Sequence, residues 1–66
     1  MIVGGENVII GNNFRSLGPT FLFATGGKLV IGDNVFLNTN VQISASVGTV
    51  KIGNDVLIGP NVVILS

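Results

Sequence analysis

Cysteine and histidine are both missing from the chain. Without cysteine there is no disulfide framework and no thiolate metal site; without histidine there is neither an imidazole ligand nor the usual near-neutral general base. Charge is scarce as well, since three basic and three acidic residues give a formal net charge of zero. That leaves no basic stripe of the kind nucleic acid or an anionic membrane needs, and neither is expected as a partner. No apolar run approaches the length of a membrane span, and the start, Met1-Ile2-Val3-Gly4-Gly5, lacks the charged n-region and longer apolar core of a secretory signal. The chain is therefore read as soluble and cytoplasmic, with no membrane insertion. Nor does any segment carry apolar residues at three-and-four spacing for the length a helix needs, so essentially no helix is expected. At 66 residues the chain is one small domain, below the size at which a single core is comfortably stable without disulfides, metal or association.

What the sequence has in abundance is repetition. Ile52 to Ser66, IGNDVLIGPNVVILS, shows one six-residue phrase twice and the opening of a third: an aliphatic residue, usually a glycine, two turn-forming polar residues, then a small or β-branched apolar residue. Such a phrase describes a short strand, a sharp corner and the next strand. Val56 and Ile58 lie two apart, as do Val62 and Ile64, and residues two apart on a strand point the same way. Over the whole chain the period is 21 residues: copies span 1–21, 22–42 and 43–63, and 64–66 begin a fourth. Ile10, Ile31 and Ile52 coincide, each followed by glycine, with Val8, Leu29 and Val50 two residues before them.

Each copy makes three strands and three corners, one coil of a solenoid. The first corners are Gly4-Gly5-Glu6-Asn7, Thr25-Gly26-Gly27-Lys28 and Ser46-Val47-Gly48-Thr49; the second are Gly11-Asn12-Asn13, Gly32-Asp33-Asn34 and Gly53-Asn54-Asp55; the third are Leu17-Gly18-Pro19, Asn38-Thr39-Asn40 and Gly59-Pro60-Asn61. Glycine, asparagine and aspartate suit such corners because they tolerate positive φ. The expected inward columns are Met1, Leu22, Ile43 and Ile64; Val3, Ala24 and Ala45; Val8, Leu29 and Val50; Ile10, Ile31 and Ile52; Phe14, Val35 and Val56; Ser16, Leu37 and Ile58; and Thr20, Val41 and Val62. At a parallel-strand spacing of about 4.8 Å the coils make a prism roughly 14 Å tall, open at both ends. Several outward positions are also apolar: Ile2, Phe23 and Leu65 in one column, Phe21 and Val63 beside it, Phe36 and Leu57 in another. A patch of that kind points to a contact surface and to self-association.

The IG-x-x-V-x pattern resembles the hexapeptide-repeat acyltransferases. The resemblance covers all 66 residues and is strongest to the sugar O-acetyltransferases of the maltose, galactoside and polysaccharide-modifying type, through Val35-Phe36-Leu37-Asn38-Thr39-Asn40 and Lys51-Ile52-Gly53-Asn54-Asp55-Val56-Leu57-Ile58-Gly59-Pro60-Asn61-Val62. It implies an all-β fold, a left-handed parallel β-helix of about three coils, assembled as a homotrimer. It further implies acetyl transfer from acetyl-CoA to a sugar hydroxyl, without a metal, in a cleft between subunits. A histidine is the general base in such a site, and by alignment on Pro60-Asn61-Val62-Val63-Ile64 it falls just beyond Ser66. The chain is accordingly expected to be a fragment, inactive alone, with no catalytic residue of its own. Asn38 matches the first Asn of the family's Asn-x-Asn segment, which contacts the acceptor sugar, and Phe36 occupies the aromatic position before it; an Asn there serves equally as a corner residue. The carboxylate some members place near Ser44 to Ser46 is missing.

Other chemistries have less to stand on. Asp33 and Asp55 occupy equivalent corners one coil apart and read as turn residues, as does Glu6. Gly4-Gly5 and Gly26-Gly27 do not open a helix, so they form no phosphate cradle. A carbonic-anhydrase-like solenoid needs histidines for zinc. Arg15, Lys28 and Lys51 are scattered cations, solvated or touching a CoA phosphate. Two further functions belong to other classes. A non-catalytic, self-associating solenoid module fits the same repeats, whereas an ice-binding array needs outward threonines in one column, and Thr20, Thr25, Thr39 and Thr49 fall in different ones.

Overall fold

Short apolar pairs closed every few residues by glycine, asparagine and aspartate give the chain strands and corners. The computed structural model describes residues 1–66 and has ten strands: β1 (Ile2–Val3), β2 (Val8–Ile10), β3 (Arg15–Ser16), β4 (Thr20–Phe23), β5 (Lys28–Ile31), β6 (Phe36–Leu37), β7 (Val41–Ser44), β8 (Thr49–Ile52), β9 (Leu57–Ile58) and β10 (Val63–Leu65). The sole helical element is a single 3-10 turn, Gly5–Asn7, and no helix is long and apolar enough to cross a membrane. Strands pair only with strands one coil away, in parallel, forming three sheets ordered β1-β4-β7-β10, β2-β5-β8 and β3-β6-β9. The result is a left-handed parallel β-helix of about three turns, with extents of 26 × 21 × 16 Å.

The expected columns are present from β2 onward. Val8 stands on Leu29 and Leu29 on Val50, Ile10 on Ile31 and Ile31 on Ile52, Ser16 on Leu37 and Leu37 on Ile58. Burial follows from position in the stack. Leu29, Ile31, Val35, Leu37, Val41 and Ile43 are the largest fully buried side chains, most of them in the middle coil, whose strands all have a neighbour on both sides. No polar or charged residue is buried. Each fully covered aliphatic side chain contributes about 1.5–3 kcal/mol relative to exposure, so the middle coil holds most of the hydrophobic stabilisation.

The first strand departs from the period. Ile2 pairs with Leu22 and Val3 with Phe23, a spacing of 20 residues and not 21. Met1 and Val3 therefore do not take the inward places expected of them; Ile2 stands in the Leu22 column, and it leaves the outward column of Phe23 and Leu65. The cause is the first corner: from Val3 to Val8 the chain takes five steps where the next coil takes six from Phe23 to Leu29. Gly4, at φ 75, makes the shorter path possible, and a Cβ there would meet the Ala24 carbonyl at 2.8 Å.

Side chains in the corners carry hydrogen bonds from coil to coil. Asn12 N–H donates to Asp33 Oδ1 and Asp33 N–H to Asn54 Oδ1, both at 2.7 Å. Beside them Asn13 Nδ2 donates to Asn34 Oδ1 at 3.0 Å and Asn34 Nδ2 to Asp55 Oδ1 at 3.1 Å. At the third corner Asn40 Nδ2 donates to Asn61 Oδ1 at 2.8 Å. Asn13, Asn34, Asn40, Asp55 and Asn61 all have φ between 58 and 60, the left-handed region that short polar side chains tolerate best after glycine. The glycine that opens the second corner of the first two coils gives the side chain above it room to descend: a Cβ on Gly32 would run into Asn54 Oδ1 and lie 2.8 Å from the Gly53 carbonyl carbon, whereas a Cβ on Gly53 meets nothing within 4 Å. Gly32→Ala is expected to destabilise the fold by about 1–3 kcal/mol through overpacking, and Gly53→Ala to change it by less than about 0.5 kcal/mol. Urea unfolding of the two variants checks this, and equal losses would contradict the stacking.

Candidate functional site

Phe36 and Asn38 lie on β6 and at the corner that follows it. Phe36 lies on β6, half-buried, in register with Arg15 on β3 and Leu57 on β9. Asn38 follows two residues later, on the same side of the extended chain. Its N–H donates to the Ile58 carbonyl at 2.9 Å, and its Oδ1 accepts the Thr39 N–H at 2.8 Å. The side-chain oxygen thus turns the third corner of the middle coil, while the Nδ2 has no hydrogen-bond partner within the chain and can donate outward. Around this pair the surface is apolar and open, with Leu57 75 % exposed and Leu17 63 %.

The cations do not converge on it. Arg15 belongs to the β3-β6-β9 sheet, but Lys28 and Lys51 belong to β2-β5-β8, so one copy assembles no three-cation cradle for a polyphosphate. Asp33 and Asp55 are committed to the corner ladders. No group of three or more His, Cys, Asp or Glu residues is placed to hold a metal ion, and no buried side-chain nitrogen or oxygen lacks a hydrogen-bond partner.

A concave feature lies elsewhere, at the N-terminal end. A recess of about 340 Å³ is lined by Met1, Ile2, Phe14, Ser16, Gly18, Pro19, Thr20 and Leu22. It exists because Ser16 and Thr20 are the short members of the columns filled by Leu37 and Ile58 and by Val41 and Val62. That substitution is visible in the sequence, where hydroxyls replace aliphatic residues only in the first coil. The Ser16 and Thr20 hydroxyls are bonded to each other and each lies in reach of the Gly18 carbonyl, at 3.1 and 3.2 Å. The Met1 amino group lies beside them, donating to the Thr20 carbonyl at 2.7 Å. The recess is large enough to house a small apolar group.

Comparison with family models, with curated proteins and with solved structures finds no match to the chain. The functional assignment therefore stands on the residues and their arrangement. Asn38→Ala removes the corner acceptor of the Thr39 N–H and is expected to cost about 0.5–1 kcal/mol, the net worth of one solvent-accessible hydrogen bond. Thermal unfolding checks it, and a loss of several kcal/mol would show that Asn38 carries far more of the fold than one corner.

Proposed function

We propose that this chain is the β-helical part of an acetyl-CoA-dependent O-acetyltransferase acting on a sugar hydroxyl, supplying the scaffold and one wall of the acceptor site. One observation supports the reading: the hexad pattern that resembles this enzyme class forms a parallel β-helix, in which Phe36 lies on β6 and Asn38 at the corner that follows it. An aromatic face and an amide donor two residues apart suit a sugar ring and its hydroxyl. The reaction needs a base to take the hydroxyl proton as oxygen attacks the thioester carbonyl and the thiolate leaves. This chain, having no histidine, does not provide that base. Its role is positional, and the 66 residues alone are expected to release no CoA.

Assembly as a homotrimer belongs to the same proposal. Phe21, Val63 and Leu65, which are 39 %, 59 % and 68 % exposed, lie on one sheet, and Phe21 stacks on Phe23 with centroids 6.3 Å apart. The same face favours a second reading, a non-catalytic solenoid that only self-associates. Calorimetric titration with acetyl-CoA, on samples whose mass is followed by sedimentation, separates the two. Saturable binding that grows with the trimer fraction, weakened by Phe36→Ala when a sugar acceptor is added, is the outcome expected of the acetyltransferase segment; trimers that bind no acetyl-CoA would leave the structural module.

A further inference from the structure

The outer face of the β3-β6-β9 sheet carries a column of side chains that neither the core nor the corner ladders use. Ser16, Leu37 and Ile58 take the inward places on these strands, so the residues before them, Arg15, Phe36 and Leu57, face out and stand over one another in register. Successive members are about 4.8 Å apart. The face runs along the side of the prism, so further coils at either end would lengthen it without covering it.

Arg15 is the one charged residue on these three strands, and it is exposed. Lys28 and Lys51 lie on another sheet, and Glu6 lies in the 3-10 turn. Two carboxylates flank the face at the second corner, where Asp33 accepts the Asn12 N–H at 2.7 Å and Asp55 accepts Asn34 Nδ2 at 3.1 Å. Both are bonded to amides of the ladders and not to the guanidinium. The stacked aromatic pair of the chain is Phe21 with Phe23, so the Phe36 ring, one level above Arg15, is not covered by the arginine and both remain open to a ligand. A guanidinium presents two parallel N–H donors that match the two oxygens of a carboxylate, and an aromatic ring takes the apolar face of a sugar. The flanking aspartates weaken the pull of Arg15 on anions at large, so a ligand held here needs the ring contact together with the charge.

We propose that this face binds an acidic sugar, with the ring laid against Phe36 and its carboxylate held by Arg15. The inference rests on the reading of Phe36 and Asn38 as one wall of an acceptor site and names the class of acceptor, a hexuronic acid residue in place of a neutral sugar. A carboxylate fits better than a phosphate because one guanidinium balances its single charge, whereas the other two cations lie on a different sheet and cannot share a second.

Backbone amide chemical shifts of the chain, followed at constant ionic strength while methyl glucuronide, methyl glucoside or glucose 6-phosphate is added, test it. Methyl glucuronide is expected to shift the amides of β3 and β6 saturably and to bind about three- to ten-fold more tightly than methyl glucoside, as one charge-assisted contact in water allows. Arg15→Gln is expected to abolish that margin, Arg15→Lys to keep part of it, and Lys28→Gln to keep all of it; because both positions are exposed, the spectra report an intact fold in each variant. Absence of glucuronide binding, equal affinity for the two glycosides, a margin that survives Arg15→Gln, or tighter binding of glucose 6-phosphate would each overturn the proposal. Equal affinity with shifts centred on Phe36 and Asn38 would do so while a neutral acceptor site stands. Conversely, an Arg15-dependent preference for glucuronide in a chain that binds no acetyl-CoA would uphold the acidic-sugar site and remove the acetyltransferase reading.

Discussion

Every part of this molecule depends on coil-to-coil hydrogen bonding in a fixed register. A single coil has no partner for its backbone groups and no lid on its aliphatic side chains; only the coil above and the coil below supply them. That is why Leu29, Ile31 and Val35 are buried while Val8, Ile10, Val50 and Val56, in the same columns, are only partly covered. The amino acids scarcely differ. Their height in the stack does, and with so short a stack the ends are a large share of the whole.

The corners obey the same constraint through side chains. Gly11 and Gly32 leave room for Asp33 and Asn54 to reach down onto the N–H of the residue below, and the αL residues next to them extend a second ladder outward. A corner here is more than a bend permitted by glycine. It is a continuation of the sheet by other donors and acceptors, and it ties together three surfaces that would otherwise meet only through the core.

Much of this was legible in the sequence because the Ile-Gly pair recurs at one spacing and fixes the phase of everything between Val8 and Ile64. The exception lies where that pair gives no help. Met1-Ile2-Val3 is apolar throughout, so alternation cannot say which residue faces in, and Gly4 allows a shorter corner that moves Ile2 under Leu22. The amide ladders were visible only as turn residues, since spacing shows which side chains are stacked but not which one donates. The proposed acceptor site was legible to the extent that Phe36 and Asn38 lie two residues apart; the N-terminal recess was present in the columns as Ser16 and Thr20, yet a missing volume becomes a cavity only once the neighbours are placed. Fold and reaction separate at this point, because a β-helix supports many activities and the side chains on its edges decide among them.

The uniform spacing of the coils also bears on how the chain finds its shape. Every strand pairs with one about a single turn away, so each junction closes a loop of nearly the same length and at nearly the same entropic cost. No distant pairing has to wait for another to form, and no one junction is favoured by being local. The costly event is the first two coils coming together; after that, each further strand is laid on an edge already made, and the direction of growth is free to run toward either terminus.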